Sequence, residues 1–185
     1  MLDLTNKALP ETVTVNGKAF LLNTDFRVWM RFIIECQKMT PEDKIDVTYL
    51  FKEEYPVYIN IADLLSFAKP KNELPRQIGH NSAIVLDYEL DGDLIYSAFL
   101  GQYGIDLIDV EHLHWHKFLA LLNGLNSSTK LREVMGYRCY EKNNDKNHDV
   151  YEDLKYAWSI ERMSEEEQAS LDAFNEAFTC GEGEN

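Results

Sequence analysis

The pattern of apolar and polar positions predicts a β-hairpin and then a helix at the start of the chain. Residues 12–23 form two short runs around Asn16-Gly17, and both turn residues tolerate the positive φ that a two-residue hairpin turn needs. Thr24 or Asp25 can then cap a helix. The apolar face of this helix, at helical spacing, consists of Phe26, Trp29, Met30 and Ile33.

Two further helices are predicted in the next part of the chain. Thr40-Pro41 is a favourable helix start, with threonine as cap and proline in the first helical position, and this helix should run to about Glu54. A short helix should begin after Asn60 and stop before Pro70, with Ile61, Leu64, Leu65 and Ala68 on one face. Residues 69–82 are polar, contain two prolines, and are typical of a loop.

The central part of the chain carries the densest apolar pattern. Residues 83–89 fit either a strand or the approach to a helix, and a helix is predicted from Asp93 to a left-handed cap at Gly104. The next helix should span about Val110–Asn123 and stop at Gly124. Its inner face is predicted to hold Trp115, Phe118, Leu119 and Leu122. Ser127 or Ser128 should open a third, short helix that ends near Gly136.

The C-terminal part is predicted to hold two helices behind a polar linker at 141–149. The first should be capped by Asp149, with Val150, Leu154, Ala157 and Trp158 facing inward. The second should open at the capping box Ser164–Glu167 and present Leu171, Phe174 and Phe178.

The predicted fold is mainly α, a helical globule of six to eight helices with an N-terminal β-hairpin. The predicted divisions are a core domain at 1–140, the linker at 141–149, and an acidic helical pair and tail at 150–185.

Composition and charge narrow the function classes. The net charge of −14 over 185 residues argues against binding to a phosphate backbone. Residues 161–185 carry eight acidic side chains against one basic one, which is half of that net charge. Apolar runs stay well below the roughly 18 residues that a membrane span needs, and three scattered cysteines fit a reducing cytoplasm. We therefore expect a cytoplasmic protein that binds neither nucleic acid nor membrane.

Candidate catalytic and metal-binding residues are few. His112 and His116 have the i, i+4 spacing of metal ligands on a helix, with His114 between them, but a third ligand and a second shell are missing nearby. Asp87, Asp91 and Asp93 lack the spacing of a calcium loop and are interpreted as helix caps. P-loop, GxGxxG and GxSxG motifs are absent from the sequence. These observations predict a non-enzymatic protein without a metal or cofactor.

One segment of the chain resembles a known family over about fifty residues. Five short motifs carry this resemblance: Asp93-Leu94-Ile95-Tyr96-Ser97-Ala98-Phe99, Tyr103-Gly104-Ile105-Asp106-Leu107, Leu113-His114-Trp115-x-Lys117-Phe118, Leu121-Leu122-x-Gly124-Leu125 and Gly136-Tyr137-Arg138. In the order and spacing of these motifs, the chain resembles the phage tail-module family called "gene product fifteen", from phages and prophages of Gram-positive bacteria. The usual second tryptophan of the family is His116 here.

The resemblance implies a tail assembly chaperone in the cytoplasm of the bacterial host. The family's genes lie between those for the major tail protein and the tape-measure protein, so the implied partners are the tape-measure protein and the tail tube protein. Self-association is compatible with this role. Alternatives are an acidic nucleic-acid mimic or anti-defence protein, and a metal-dependent enzyme that uses His112, His114 and His116. The residues predicted to contact a partner are Tyr96, Phe99, Tyr103, Trp115, Phe118, Leu122 and Tyr137.

Overall fold

A β-hairpin and six α-helices make up the regular structure of the residues that the computed structural model describes, which are 5, 8–40, 42–69, 85–141 and 147–160. This confirms a mainly α fold with an N-terminal hairpin. Residues 70–82 of the loop predicted at 69–82, and the predicted helix with Leu171, Phe174 and Phe178, lie outside these residues. The elements are β1 (Thr12–Val15), β2 (Lys18–Leu21), α1 (Phe26–Lys38), α2 (Ile61–Ala68), α3 (Gly92–Tyr103), α4 (Trp115–Asn123), α5 (Lys130–Arg138) and α6 (His148–Ala157).

The hairpin and the start of α1 follow the local sequence signals. β1 and β2 pair antiparallel, and the turn residues Asn16 and Gly17 have φ of 50° and 79°. The Asp25 carboxylate caps α1 by accepting a hydrogen bond from the Arg27 backbone N–H at 3.0 Å. The inner face of α1 is buried at Phe26, Trp29 and Phe32, whereas Met30 and Ile33 are half-buried.

The predicted helix from Thr40 to Glu54 is wrong. Thr40 and Asp43 do form a capping turn, but the only regular element described between residues 42 and 54 is a 3-10 turn at Thr48–Leu50. Residues 50 and 51 instead pair with the backbone that directly follows β2. The Leu50 carbonyl accepts from the Asn23 N–H at 2.7 Å, and Phe51 forms a β-bridge with Leu22. Closely spaced β-branched residues in 45–48 also favour extended backbone over a helix.

The boundaries of α2 and α3 agree with the prediction. Asn60 caps α2, and α3 ends at Gly104, whose φ of 65° gives the left-handed cap. Residues 85–89 form no strand and lead into α3 through a turn.

The next two helices begin later than predicted. Residues 110–114 are not helical, since the backbone around Leu113 and His114 pairs with Thr24–Phe26, and α4 starts only at Trp115. Likewise Thr129, not Ser127 or Ser128, caps α5.

Helix α6 packs against α5 and differs from its predicted form. It starts at His148 behind Asn147, so Asp149 lies in its first turn and is not its cap. Leu154 and Trp158 are half-buried, but Val150 and Ala157 are exposed, which corrects their predicted inward orientation. Among the described elements α5 is the main neighbour of α6, and it leaves these two side chains uncovered.

Phe118 of α4 lies at the centre of the core. Its ring stacks on three other aromatic rings, with centroid distances of 5.0 Å to Phe26, 5.1 Å to Phe99 and 5.6 Å to Trp115. These contacts join α1, α3 and α4 around one ring. Phe99, Trp115 and Phe118, which belong to the resemblance motifs, are therefore part of the core.

Candidate functional site

A groove lies between α1 and α3, beside the loop that follows α3. We call it the α1/α3 groove. Its volume is about 570 Å³, which is within the range of ligand-binding clefts. Its lining is mostly apolar and consists of Phe26, Arg27, Met30, Gly92, Asp93, Ile95, Tyr96, Leu107 and Ile108. The loop belongs to the segment that carries the family resemblance.

Arg27 holds the loop that forms one wall of this groove. Its Nη2 donates to the carbonyls of Leu107 at 2.9 Å, Ile108 at 3.3 Å and Val110 at 2.7 Å. Its Nη1 forms an ion pair with Asp25 at 3.2 Å. Because one guanidinium satisfies three carbonyls of the same loop, the backbone there is fixed without regular secondary structure.

Asp106 connects the two apolar walls. One carboxylate oxygen accepts from the Tyr96 hydroxyl at 3.1 Å, and the other accepts from the Ile108 N–H at 2.9 Å. The hydrogen bond to Asp106 raises the pKa of Tyr96, and the bond from the Ile108 N–H lowers the pKa of Asp106. The resulting Asx turn presents Ile108 to solvent, with 75% of its surface exposed. An aliphatic side chain held in this way is available to a partner.

The seven residues predicted to contact a partner do not share one surface. Tyr96 lines the groove, but Phe99, Trp115, Phe118 and Leu122 are core residues. The remaining two tyrosines pack between helices: the Tyr103 hydroxyl donates to the Leu121 carbonyl at 2.9 Å, and the Tyr137 ring lies 6.4 Å from that of Tyr151. Of the seven, Tyr96 is therefore the residue placed on the groove.

The three clustered histidines bind protein groups. His114 donates from Nε2 to the Pro10 carbonyl at 3.0 Å, and His116 donates from Nε2 to the Phe67 carbonyl at 2.8 Å. His112 Nε2 lies 3.2 Å from the Thr24 hydroxyl. Burial lowers the pKa of His114, which favours the neutral ring that caps α4 through Nδ1. Within the described ranges, no three His, Cys, Asp or Glu side chains come together as a metal site would require.

The aspartates before α3 have two different roles. Asp87 caps the turn before the helix by accepting from the Glu89 and Leu90 N–H groups. Asp91, interpreted from sequence as a helix cap, makes no side-chain cap bond and forms a buried ion pair with Arg138 instead. The cause is tertiary: the end of α5 brings a guanidinium to this carboxylate.

Sequence reasoning missed Arg27 and Ile108 as groove residues. Ile108 lies between two aspartates, Asp106 and Asp109. An apolar residue in a turn capped by aspartates is the sequence feature that could have identified it as exposed. A second exposed apolar segment, Tyr55–Tyr58, contains the exposed side chains of Tyr55, Val57 and Tyr58. It has no regular secondary structure, and its residues do not line the α1/α3 groove.

Comparison with known proteins identifies a family. A family model described as "Bacteriophage Gp15 protein" matches residues 5–160, and the chain therefore belongs to this family of phage proteins. No curated protein and no solved structure gave a significant match. In the described part of the chain, none of the helices is both long and apolar enough to cross a membrane.

Proposed function

We propose that this member of the Bacteriophage Gp15 family is a non-enzymatic tail assembly chaperone that binds the tape-measure protein and assists assembly of the tail tube around it. Family membership supports a phage setting. The motif resemblance implies that the gene lies beside the gene for the tape-measure protein, as in the rest of the family. The proposal assigns the protein to the cytoplasm of the bacterial host, with the tape-measure and tail tube proteins as partners and no role in binding nucleic acid.

The α1/α3 groove is the observation that carries this proposal. A protein that escorts an amphipathic helix needs a groove lined by aromatic and aliphatic side chains. The groove has that lining: Phe26 and Ile95 form its floor, Met30 and Tyr96 its sides, and Ile108 projects from the adjacent loop. Tyr96 and Leu107 belong to the motifs that resemble the phage family, so the resemblance and the groove coincide in one region.

The charge of the chain supports the same role. A net charge of −14 makes copies of the protein repel one another, which keeps an escort protein soluble while its apolar groove is empty. A metal-dependent enzyme has weaker support, because ring nitrogens of His112, His114 and His116 are already engaged with Thr24, Pro10 and Phe67.

Disabling the gene in an inducible phage that encodes the protein tests the proposal. The expected result is an accumulation of filled heads without tails in electron micrographs, with tails restored when the protein is supplied from a plasmid. Tails of normal length and number in the absence of the protein would overturn the proposal. As a control, the disabled phage is grown in cells in which the plasmid supplies an unrelated chaperone. Tails should then remain absent if the phage specifically requires this protein.

A further inference from the structure

The rim of the α1/α3 groove is acidic. Asp93 lines the groove and is exposed, and Asp106 and Asp109 flank Ile108 on the adjacent loop. Asp106 accepts a hydrogen bond from the Tyr96 hydroxyl at 3.1 Å, and Asp109 directly follows the lining residue Ile108, so both carboxylates lie beside the groove. Arg27 also lines the groove, but its positive charge is paired with Asp25. The charge that remains available to a bound partner at this rim is therefore negative.

Several apolar side chains line the floor and the sides of the groove. Phe26, Ile95 and Leu107 are buried at its base, and Met30 and Tyr96 are half-buried at its sides. This shape suits successive apolar side chains of one helix face, which recur at i, i+3 or i+4, and i+7. The most exposed apolar residue of the lining, Ile108, would lose contact with water when such a helix is bound.

From this combination we propose that the groove binds a partner helix whose apolar stripe is flanked by lysine or arginine side chains. The inference rests on the proposed function, because it names the kind of tape-measure segment that the protein would hold. The apolar contacts supply most of the affinity, and the acidic rim selects helices with basic flanks and rejects acidic ones.

Two other occupants fit the charges poorly. A second copy of the chain carries a net charge of −14, so it would approach an acidic rim against repulsion. The chain's own segment 161–185 has an apolar stripe, but it carries eight acidic side chains against one basic one. A basic-flanked helix from another protein is the occupant that complements both the apolar floor and the acidic rim.

Two synthetic helical peptides of about 20 residues test the inference. Both carry the same leucine stripe, and the flanking positions are lysine in one and glutamate in the other. With the full-length protein at low salt, the lysine peptide should bind about tenfold more tightly than the glutamate peptide. The double variant Asp93→Asn/Asp109→Asn should remove most of this preference. Equal binding of both peptides, or tighter binding of the glutamate peptide, would overturn the acidic-rim selection.

Variants of one exposed residue locate the peptide. Ile108→Asp should abolish binding of the lysine peptide, and Ile108→Ser should weaken it, while both variants keep a cooperative melting transition because this side chain is exposed. Val57→Asp is the matched control, since Val57 is also exposed but lies in the Tyr55–Tyr58 loop. Loss of binding in Val57→Asp with retention in Ile108→Asp would overturn the groove as the docking site.

The two proposals can fail separately. If wild-type protein and Ile108→Asp both keep the tape-measure protein soluble, the chaperone role stands and the groove is the wrong site. If the lysine peptide binds through Ile108 but the tape-measure protein gains nothing from the wild-type chain, the groove binds basic-flanked helices and the proposed function is wrong.

Discussion

Arg138 and Asp91 form a bidentate ion pair in the interior of the protein. The Nη1–Oδ2 and Nη2–Oδ1 distances are 2.6 Å and 2.9 Å, and the two side chains are 5% and 2% exposed. Arg138 also donates to the carbonyls of Val85 and Trp158. One guanidinium thereby joins the segment before α3 to α5 and to the end of α6. Since Arg138 closes the last motif shared with the phage family, that motif position has a structural role.

Removal of Arg138 should strongly destabilise the protein. Arg138→Met leaves the Asp91 carboxylate buried without its partner, and the free energy of unfolding should fall by roughly 3–5 kcal/mol. Urea denaturation measures this change. Arg132→Met is the control, because Arg132 lies on the same helix and is exposed. A loss no larger than that of the control would show that the ion pair does not hold these segments together.

The core and groove aromatics should respond differently to substitution. Phe118→Ala removes the ring that stacks on Phe26, Phe99 and Trp115, and should cost roughly 3–5 kcal/mol of stability. Tyr96→Phe removes one hydrogen bond to Asp106, worth about 1 kcal/mol. Thermal melting distinguishes the two. A Phe118→Ala protein as stable as Tyr96→Phe would contradict the central position of Phe118.

Local signals predicted much of the fold. The Asn16-Gly17 turn, the Asp25 and Asn60 caps and the Gly104 stop each depend on chemistry within a few residues, and the structure has all four. The prediction of a helix that ends at Glu54 was wrong because a contact between distant parts of the chain decides the structure there. Its second half is paired with the backbone that follows β2, a contact that local periodicity does not reveal.

The site was harder to predict than the fold. Large apolar residues in the resemblance segment are natural candidates for partner contacts, yet Phe99, Trp115 and Phe118 are buried in the core. Ile108 is exposed because Arg27, about eighty positions earlier in the chain, holds its loop. Burial and long-range hydrogen bonds of this kind are decided by tertiary packing, which a single sequence does not display.

Stability should fall at mildly acidic pH through His114. Its pKa is lowered from 6.5 in the folded state, so its stabilising contribution is complete above pH 6.5 and is lost as the pH falls through the folded-state value. The free energy of unfolding should therefore decline from pH 7.5 to 5.5 more steeply in the wild-type protein than in His114→Asn. Equal slopes for wild type and His114→Asn would refute this role.

Removal of metal should leave the protein unchanged. Because His114 and His116 are hydrogen-bonded to backbone carbonyls, we expect a chelator to leave the melting temperature where it was. Elemental analysis of untagged protein is the accompanying measurement. Stoichiometric zinc, together with a melting temperature that drops on chelation, would favour the metal-dependent alternative.

The acidic segment 161–185 should be separable from the rest of the chain. The family match ends at residue 160, and this segment holds half of the net charge. A protein truncated after Glu161 should remain folded and melt cooperatively, which calorimetry can measure. An unfolded or insoluble truncated chain would place the segment in the core.

Co-expression with the tape-measure protein tests the chaperone proposal most directly. The tape-measure protein alone should aggregate, and with this chain it should remain soluble and co-elute with it in size-exclusion chromatography. Because apolar contacts should dominate, the complex should persist at about 0.5 M salt, where surface charge pairs are largely screened. Unchanged aggregation of the tape-measure protein, or a complex that dissociates at that salt concentration, would contradict the proposal and favour an acidic mimic.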